Sequence, residues 1–485
     1  KKREVFILRI LYCTSEANPF AGSGGLADVA GAGSLPKALC QRQIDCRVVM
    51  PLYGDIPQSL RDSMRYITNF TVPVAWRRQY CGVFEAHYNG VMFYFIDNEY
   101  YFKRCGLYGF YDDAERFAFF SRAIMEMLPY VNFHPDLIHC NDWQTALVPT
   151  YYYLFYSHNP WYHNIKSVFT IHNIQYQGKY GWEVNTECVG VPPANTKLLE
   201  QDGKLNMVKG AIETATRVTT VSPSYAKEIL DPWFAYGLDT ILRNRQYKLC
   251  GILNGIDNAS YDPATDYQLY QNYSVNDMRG KGECKRALQE RLGLAQRPDI
   301  PIIAMVSRMV GHKGLDIVRL SLDEIMCDHD VQFVILGSGD REYEDFFRHM
   351  QWKYPGRLCA CIGFIPELAR KIYSGSDIFL MPSKSEPCGL SQMIALRYGS
   401  VPVVREVGGL RDSIHDSLDG HGNGFTFSKY EAYDMVQCLK RAINGYWNRD
   451  GWQKLVRRCM ESDNSWARSA NDYINVYRDT IDHWK

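Results

Sequence analysis

The sequence has no charge excess, no long apolar run and no metal-type cysteine spacing. Its 54 Lys+Arg balance 54 Asp+Glu, a formal net charge of +0. That argues against a general polyanion binder, because nucleic-acid surfaces leave a basic excess. The longest apolar stretches, such as 376–382 (SDIFLMP), are far shorter than the ~20 residues that span a bilayer, so no membrane partner is expected. The 15 cysteines contain no C-x-x-C and no zinc spacing, and the close pair is Cys359 and Cys361. They read as reduced thiols in a cytoplasm-like compartment. No signal peptide is visible, since the first apolar stretch, VFILRILYC, carries Arg9. A plastid stroma would be the location if a transit peptide had been removed ahead of Lys1. Neither G-x-G-x-x-G nor a P-loop sits between a strand and a helix, which disfavours a Rossmann dehydrogenase and a P-loop nucleotidase. No short-period repeat occurs.

What is present is a twice-repeated alternation. Short apolar runs at 5–13, 46–50, 91–96, 136–140, 167–171 and 217–222 alternate with helical stretches, and the pattern resumes at 300–307, 331–337, 358–363, 377–382 and 400–404. Nearly continuous apolar strands between helices predict parallel sheets covered on both faces. Two doubly wound α/β domains follow. The boundaries are placed at 1–245 and 246–460, with 461–485 as a C-terminal helix that packs on one domain or crosses back to the first. Residues 254–282, rich in Asn, Asp, Tyr and Gly, read as an irregular connection, and 283–294 as a helix. Ligands of such sheets bind beyond the carboxyl ends of the strands, so the site is expected in a cleft between the domains.

Six segments carry polar groups at those ends. GSGGLADVAG (22–31) follows the first strand; Gly24 and Gly25 would let backbone N–H groups approach an anion, with Asp28 at the mouth. An ordinary strand–helix turn has the same composition. Gly408, Gly409 and Leu410 repeat the Gly-Gly-Leu pattern in the second half, and the two turns would face each other. HCNDWQT (139–145) and TIHN (170–173) place Asp142, His172 and Asn173 at strand ends, where capping roles compete with ligand binding. SRMVGHKG (307–314) sets Arg308 and Lys313 five apart, able to clamp a diphosphate with a fork of donors and a point charge. SKSEPCGLSQ (383–392) aims Glu386 from a strand end, and the amides of Cys388, Gly389 and Leu390 would open a helix toward phosphate or sugar oxygens.

Read together, these segments resemble the glycogen and starch synthases, glycosyltransferase family 5. The likeness is carried by CTSEANPF (13–20), GGLADV (24–29), LPKAL (35–39), HCNDWQT, FTIHNIQYQG (169–178), TVSPSYAKEI (220–229), GILNGID (251–257), VSRMVGHKGLD (306–316), SEPCGLSQ (385–392) and RYGSVPVVREVGGLRD (397–412). It implies the GT-B architecture, two Rossmann-like domains facing a deep cleft. The implied reaction moves glucose from ADP-glucose to the non-reducing 4-hydroxyl of an α-1,4-glucan with retention, with no cofactor and no metal. It assigns Arg308 and Lys313 to the diphosphate, Glu386 to the donor glucose hydroxyls and Asp142 to the acidic part of the cleft. His172 stands beside the transferring sugar, its backbone carbonyl supporting the oxocarbenium-like state. Asn254 is a further polar cleft residue, and Phe364 stacks on adenine. Gly24, Gly25 and Asp28 form the donor loop; Gly408, Gly409 and Leu410 form the second loop.

Three departures stand out. The family's Lys-Thr-Gly-Gly-Leu is here Gly22-Ser23-Gly24-Gly25-Leu26, which removes a cation. Ala32-Gly33 insert two residues before Ser34-Leu35-Pro36, so the helix is expected to start late or to carry a bulge, since two residues rotate a face by about 200°. The start KKREVFILR is longer and more basic than usual. Competing readings are another retaining nucleotide-sugar glucosyltransferase of this fold and a non-catalytic glucan-binding relative. Glycogen and starch are not separated as products, and the bare two-domain chain points to a bacterial, cytoplasmic enzyme.

Overall fold

A computed structural model describes residues 7–484. It divides into two units: the first runs to Gly255 and takes up the chain again at Trp466, and the second is Ile256–Ser465.

The first unit is built on β1 (Arg9–Cys13), β2 (Asp45–Pro51), β3 (Arg65–Val74), β4 (Arg77–Tyr88), β5 (Val91–Asp97), β6 (Leu137–Asn141) and β7 (Lys166–Ile171). A small three-stranded sheet, β8 (Lys179–Tyr180), β9 (Glu200–Gln201) and β10 (Lys204–Asn206), precedes β11 (Arg217–Thr220) and β12 (Leu249–Gly251). The main sheet has the order β12-β11-β7-β6-β1-β2-β5-β4-β3. Seven of its strands are parallel, and β4 and β3 add antiparallel at one edge. The central strands are buried on both faces, as at β1 and β6, and read as continuous apolar runs for that reason. The hairpin β3–β4 was not expected. Its residues are half-exposed, so they carry no uninterrupted apolar run.

The helix Trp466–His483 belongs to this unit. Trp466, Ala470, Tyr473, Ile474 and Tyr477 form its buried stripe. Tyr477 Oη lies 2.7 Å from His139 Nδ1, and His139 Nε2 lies 2.6 Å from Thr170 Oγ1. Burial pushes the His139 imidazole down to about 3, so it is neutral. A neutral ring offers one donor and one acceptor, and both are used.

The second unit carries β13 (Ile302–Val306), β14 (Gln332–Gly337), β15 (Leu358–Ile362), β16 (Ile378–Met381), β17 (Val401–Arg405) and β18 (Phe425–Phe427), ordered β15-β14-β13-β16-β17-β18 and parallel throughout. This is the 3-2-1-4-5-6 order of a doubly wound dinucleotide-binding sheet. The sequence-based boundaries at 245/246 and 460/461 need correction. β12 pairs with β11, which carries the first unit to Gly255, and Ile256 donates to the Asn464 carbonyl at 2.8 Å, which keeps 461–465 in the second unit.

Candidate active site

In each unit the strand order reverses at one point, and there two neighbouring strands send their loops in opposite directions. In the second unit that point lies between β13 and β16. Ser307–Gly314 leaves β13 and Pro382–Glu386 leaves β16. Gly314, at φ +81, lets the first loop touch the second: a Cβ there would stand 2.1 Å from the Pro382 carbonyl oxygen. The approach brings Lys313 Nζ to 2.6 Å from Glu386 Oε2. The pair is largely enclosed, with side-chain exposures of 18% and 9%. Ser383 Oγ donates to the same Oε2 at 3.3 Å, while Glu386 Oε1 accepts no hydrogen bond among the described residues. Arg308 is exposed, and its guanidinium has no hydrogen-bond or ion-pair partner among the described residues. An ammonium has three donors, so Lys313 keeps two beyond the one given to Glu386. The loop thus offers a free fork and a half-committed point charge to an anion, beside a carboxylate oxygen open to hydroxyl groups.

The amides of Gly389 and Leu390 donate no hydrogen bond among the described residues. Cys388 is buried, and its carbonyl and that of Gly389 are tied down by Gln392 Nε2 at 3.1 and 3.0 Å. Gly408, Gly409 and Leu410 differ from expectation. Gly409 N donates to the carbonyls of Glu386 and Pro387, both at 3.1 Å, and Leu410 is fully buried. A Cβ at Gly408 would stand 2.0 Å from the Glu386 carbonyl oxygen, and one at Gly409 2.1 Å from that of Cys388. The second Gly-Gly-Leu turn therefore clamps the Glu386 loop from behind; the Gly409 amide is not open to a ligand.

In the first unit the reversal lies between β1 and β6. Asp142 follows β6 with φ 56 and ψ −178, a conformation that costs a non-glycine residue roughly 1–3 kcal/mol. It is held because Asp142 Oδ1 accepts the amides of His172 (2.7 Å) and Asn173 (3.4 Å) at the end of β7. Burial raises its carboxyl to about 7 despite those bonds, and Glu16 adds to the rise. His172 Nε2 lies 2.8 Å from Asn141 Oδ1. Asn141 Nδ2 is committed to the Cys13 carbonyl at 2.9 Å, which fixes Oδ1 as the acceptor and puts the His172 proton on Nε2. Burial pushes this imidazole to about 3. The His172 carbonyl accepts no hydrogen bond among the described residues. Asn173 Oδ1 is engaged by the Gln175 amide at 3.0 Å.

The loop after β1 is open. A Cβ on Gly24 or Gly25 would meet nothing within 4 Å, so the two Gly-Gly-Leu turns are not equivalent. The loop is held by Glu16, whose Oε2 accepts from Ser23 N (2.6 Å) and Ser23 Oγ (2.8 Å). Burial raises the Glu16 carboxyl above its ordinary range. Asn18 Nδ2 donates to Asp28 Oδ1 at 2.7 Å. Gly22 is packed: a Cβ there would stand 2.6 Å from Ala27 Cβ and 2.8 Å from Asn18 Oδ1. The Ala32-Gly33 insertion produces neither a late start nor a bulge. The helix Gly25–Ala30 stops, residues 31–34 turn, and a second helix runs Leu35–Cys40. Ala32 N to the Asn18 carbonyl (2.9 Å) and Asn89 Nδ2 to the Ala32 carbonyl (2.9 Å) hold that turn.

Two further candidate residues remain. Phe364 follows β15 and is 90% exposed, a free ring. Asn254 is buried, and its Oδ1 has no partner among the described residues. Sequence reasoning missed Glu16, Asn141, Ser383 and Gln392. For Glu16 a signal existed, a carboxylate three residues past a buried strand; the others only orient their neighbours.

The family described as starch synthase catalytic domain matches residues 9–244, and that described as glycosyl transferases group 1 matches residues 289–458. A glycogen synthase of Clostridium botulinum is 47% identical over 478 residues, 97% of this chain and 99% of the relative. One of Desulforamulus reducens is 48% identical over 475 residues, covering 97% and 98%. Among solved structures, the catalytic domain of starch synthase IV from Arabidopsis thaliana, bound to ADP and acarbose, superposes with a TM-score of 0.90 at 34% identity, covering 98% of this chain and 99% of that one.

Proposed function

The chain belongs to the glycogen and starch synthase family of glycosyltransferases, and from that premise we propose that it transfers glucose from ADP-glucose to the non-reducing 4-hydroxyl of an α-1,4-glucan with retention of configuration. The observation that carries this reading is the cation–carboxylate constellation at the strand-order reversal of the second unit: Lys313 on Glu386, with Arg308 and one Glu386 oxygen unpaired among the described residues.

Arg308 and Lys313 would hold the donor diphosphate and stabilise the charge that builds on departing ADP. Both cations belong to the chain, which supports a reading without a metal. Glu386 would accept hydroxyls of the donor glucose through Oε1, its orientation fixed by Lys313 and Ser383. Gly389 and Leu390 would donate to phosphate or sugar oxygens. Phe364 would stack on adenine, and the ADP bound to the Arabidopsis relative supports an adenine donor. In the first unit the His172 carbonyl would face the positive charge developing at the anomeric carbon. Asp142 would hold that segment through the amides of His172 and Asn173. Gly24 and Gly25 would admit the donor closely. Retention can proceed through a carboxylate nucleophile; here no carboxylate matches that role, and the reading is front-side displacement. The departing phosphate takes the proton of the incoming 4-hydroxyl as the new bond forms on the same face. The cell compartment proposed is the bacterial cytoplasm; among the described residues no helix is long and apolar enough to cross a membrane.

The test is glucosyl transfer to glycogen from ADP-glucose and, in parallel, UDP-glucose, with the anomeric configuration of the new linkage read by NMR. Strong preference for ADP-glucose with an α linkage is expected. Preference for UDP-glucose would overturn the Phe364 assignment, and no transfer by folded, glucan-binding protein would favour the non-catalytic relative.

A further inference from the structure

β15 is an edge strand of the second unit's sheet. Cys359 and Cys361 stand two residues apart on it, hence on one face, and their Sγ atoms are 3.7 Å apart. Both are half-buried, open to small molecules but not free in solvent. The strand runs straight into Gly363, at φ +145, and Phe364. Because β15 has a sheet neighbour on one side alone, its local geometry can change without breaking a second ladder; on the open side Ala360 N is met by Gln351 Oε1 at 2.7 Å.

We propose that Cys359 and Cys361 form a reversible redox site, an intrastrand dithiol that small-molecule disulfides oxidise to a Cys359–Cys361 disulfide, and that oxidation weakens donor binding by shifting Phe364. The second half rests on the reading of Phe364 as the adenine platform; the first half does not.

The chemistry balances. The Cys361 thiolate attacks one sulfur of the oxidant, forming a mixed disulfide and expelling one thiolate. Cys359, giving up its proton, attacks the Cys361 sulfur and expels the second. Two protein thiols are oxidised, one external disulfide is reduced to two thiols, and the two protons go to those products. The microenvironment assigns the roles. The two thiols share a contact in which either can donate, and the Arg291 guanidinium acts on Cys361, which lies below the ordinary thiol range while Cys359 is raised. Reversibility follows from the strand. Two residues of extended chain separate their Cα atoms by about 6.4–6.8 Å, the upper edge of what a disulfide spans. Closing the bond draws the strand together at its carboxyl end, where Gly363 and Phe364 follow. A disulfide formed under that constraint is readily reduced.

The test uses the full chain equilibrated in glutathione buffers from fully reduced to fully oxidised. Cleavage after Arg357 and Arg370 releases 358–370, which holds both cysteines and Phe364. The expected result is this peptide lighter by two hydrogens in the oxidised sample and restored by dithiothreitol. The KM for ADP-glucose should rise roughly fivefold, as partial loss of base stacking implies, with the KM for glycogen unchanged. Cys359→Ser should keep the reduced enzyme's KM and abolish the oxidative change. Free thiols throughout, or a glutathione adduct on Cys361 alone, would overturn the redox site. A disulfide with an unchanged donor KM would overturn the coupling. Phe364→Ala in reduced protein separates the two readings: an unchanged donor KM there removes the adenine platform, while the disulfide still stands or falls on the peptide mass.

Discussion

The two Gly-Gly-Leu turns have the same sequence and opposite surroundings, and an added methyl group separates them. In Gly409→Ala the new Cβ would stand 2.1 Å from the Cys388 carbonyl oxygen, where ordinary contact begins at 3.4 Å. The partner atom is backbone, so it cannot rotate away, and one of the two segments must move by more than an ångström. That motion strains the Gly409 amide's bonds to the Glu386 and Pro387 carbonyls. Overpacking costs about 1–3 kcal/mol, and a lost backbone hydrogen bond adds about 0.5–1.5 kcal/mol. Together these lower the melting temperature of a unit of this size by roughly 5–15 °C. Turnover falls too, because the displaced segment carries Glu386. In Gly24→Ala the new Cβ meets nothing within 4 Å, and stability should change by no more than about 0.5 kcal/mol. If the first turn admits the donor closely, its kcat/KM for ADP-glucose nevertheless drops by roughly tenfold or more. Calorimetry and initial rates on both variants are the assay. A Gly409→Ala protein that melts like its parent, or a Gly24→Ala protein that loses as much stability as Gly409→Ala, would refute the reasoning.

Asp142→Asn keeps an acceptor for the His172 and Asn173 amides but cannot ionise. The folded carboxyl, raised to about 7, holds its proton longer than the unfolded one, so the parent's stability relative to the variant should decline from about pH 4 to about pH 7. His139 and His172, both pushed to about 3, act in the opposite direction and cancel in that difference, provided urea midpoints are measured for both proteins; a difference independent of pH would contradict the assignment. Tyr477→Phe strips the hydroxyl from buried His139 Nδ1, which should cost the first unit about 1–3 kcal/mol; an unchanged melting temperature would show that the returning helix is held without it. Gly22→Lys restores the family's cation in sequence alone. With Ala27 Cβ 2.6 Å and Asn18 Oδ1 2.8 Å from the new Cβ, it should lower stability without lowering the donor KM, and tighter donor binding would contradict that packing.

The strands buried on both faces were legible because full burial writes itself as a continuous apolar run, and β1, β6, β13 and β16 were all found that way. The hairpin β3–β4 was not, since a half-exposed edge mixes polar and apolar positions. Glu386, Lys313, Arg308, Asp142 and His172 were singled out because the ends of such strands are where chemistry concentrates, and the structure places each of them in a loop that follows a strand. The pairing of Lys313 with Glu386 was invisible, because it depends on Gly314 letting two loops 73 residues apart in sequence touch. The same limit hid what Gly408 and Gly409 pack against: a Gly-Gly pair signals close approach by something, and that the Glu386 and Cys388 carbonyls stand there is a tertiary fact. The Ala32-Gly33 insertion was readable as a disturbance but not as a turn, because the Asn18 and Asn89 contacts that hold it come from distant segments.

The central assignment is that Glu386, held by Lys313, acts on the donor rather than on the fold. The direct measurement is the initial rate of glucosyl transfer from ADP-glucose by Glu386→Ala, set beside its melting temperature. Loss of an interaction made with the reacting sugar should cut kcat by roughly 100-fold or more, while the melting temperature shifts by only a few degrees, since Lys313 retains some exposure to water. A folded Glu386→Ala protein with the parent's rate would contradict the assignment.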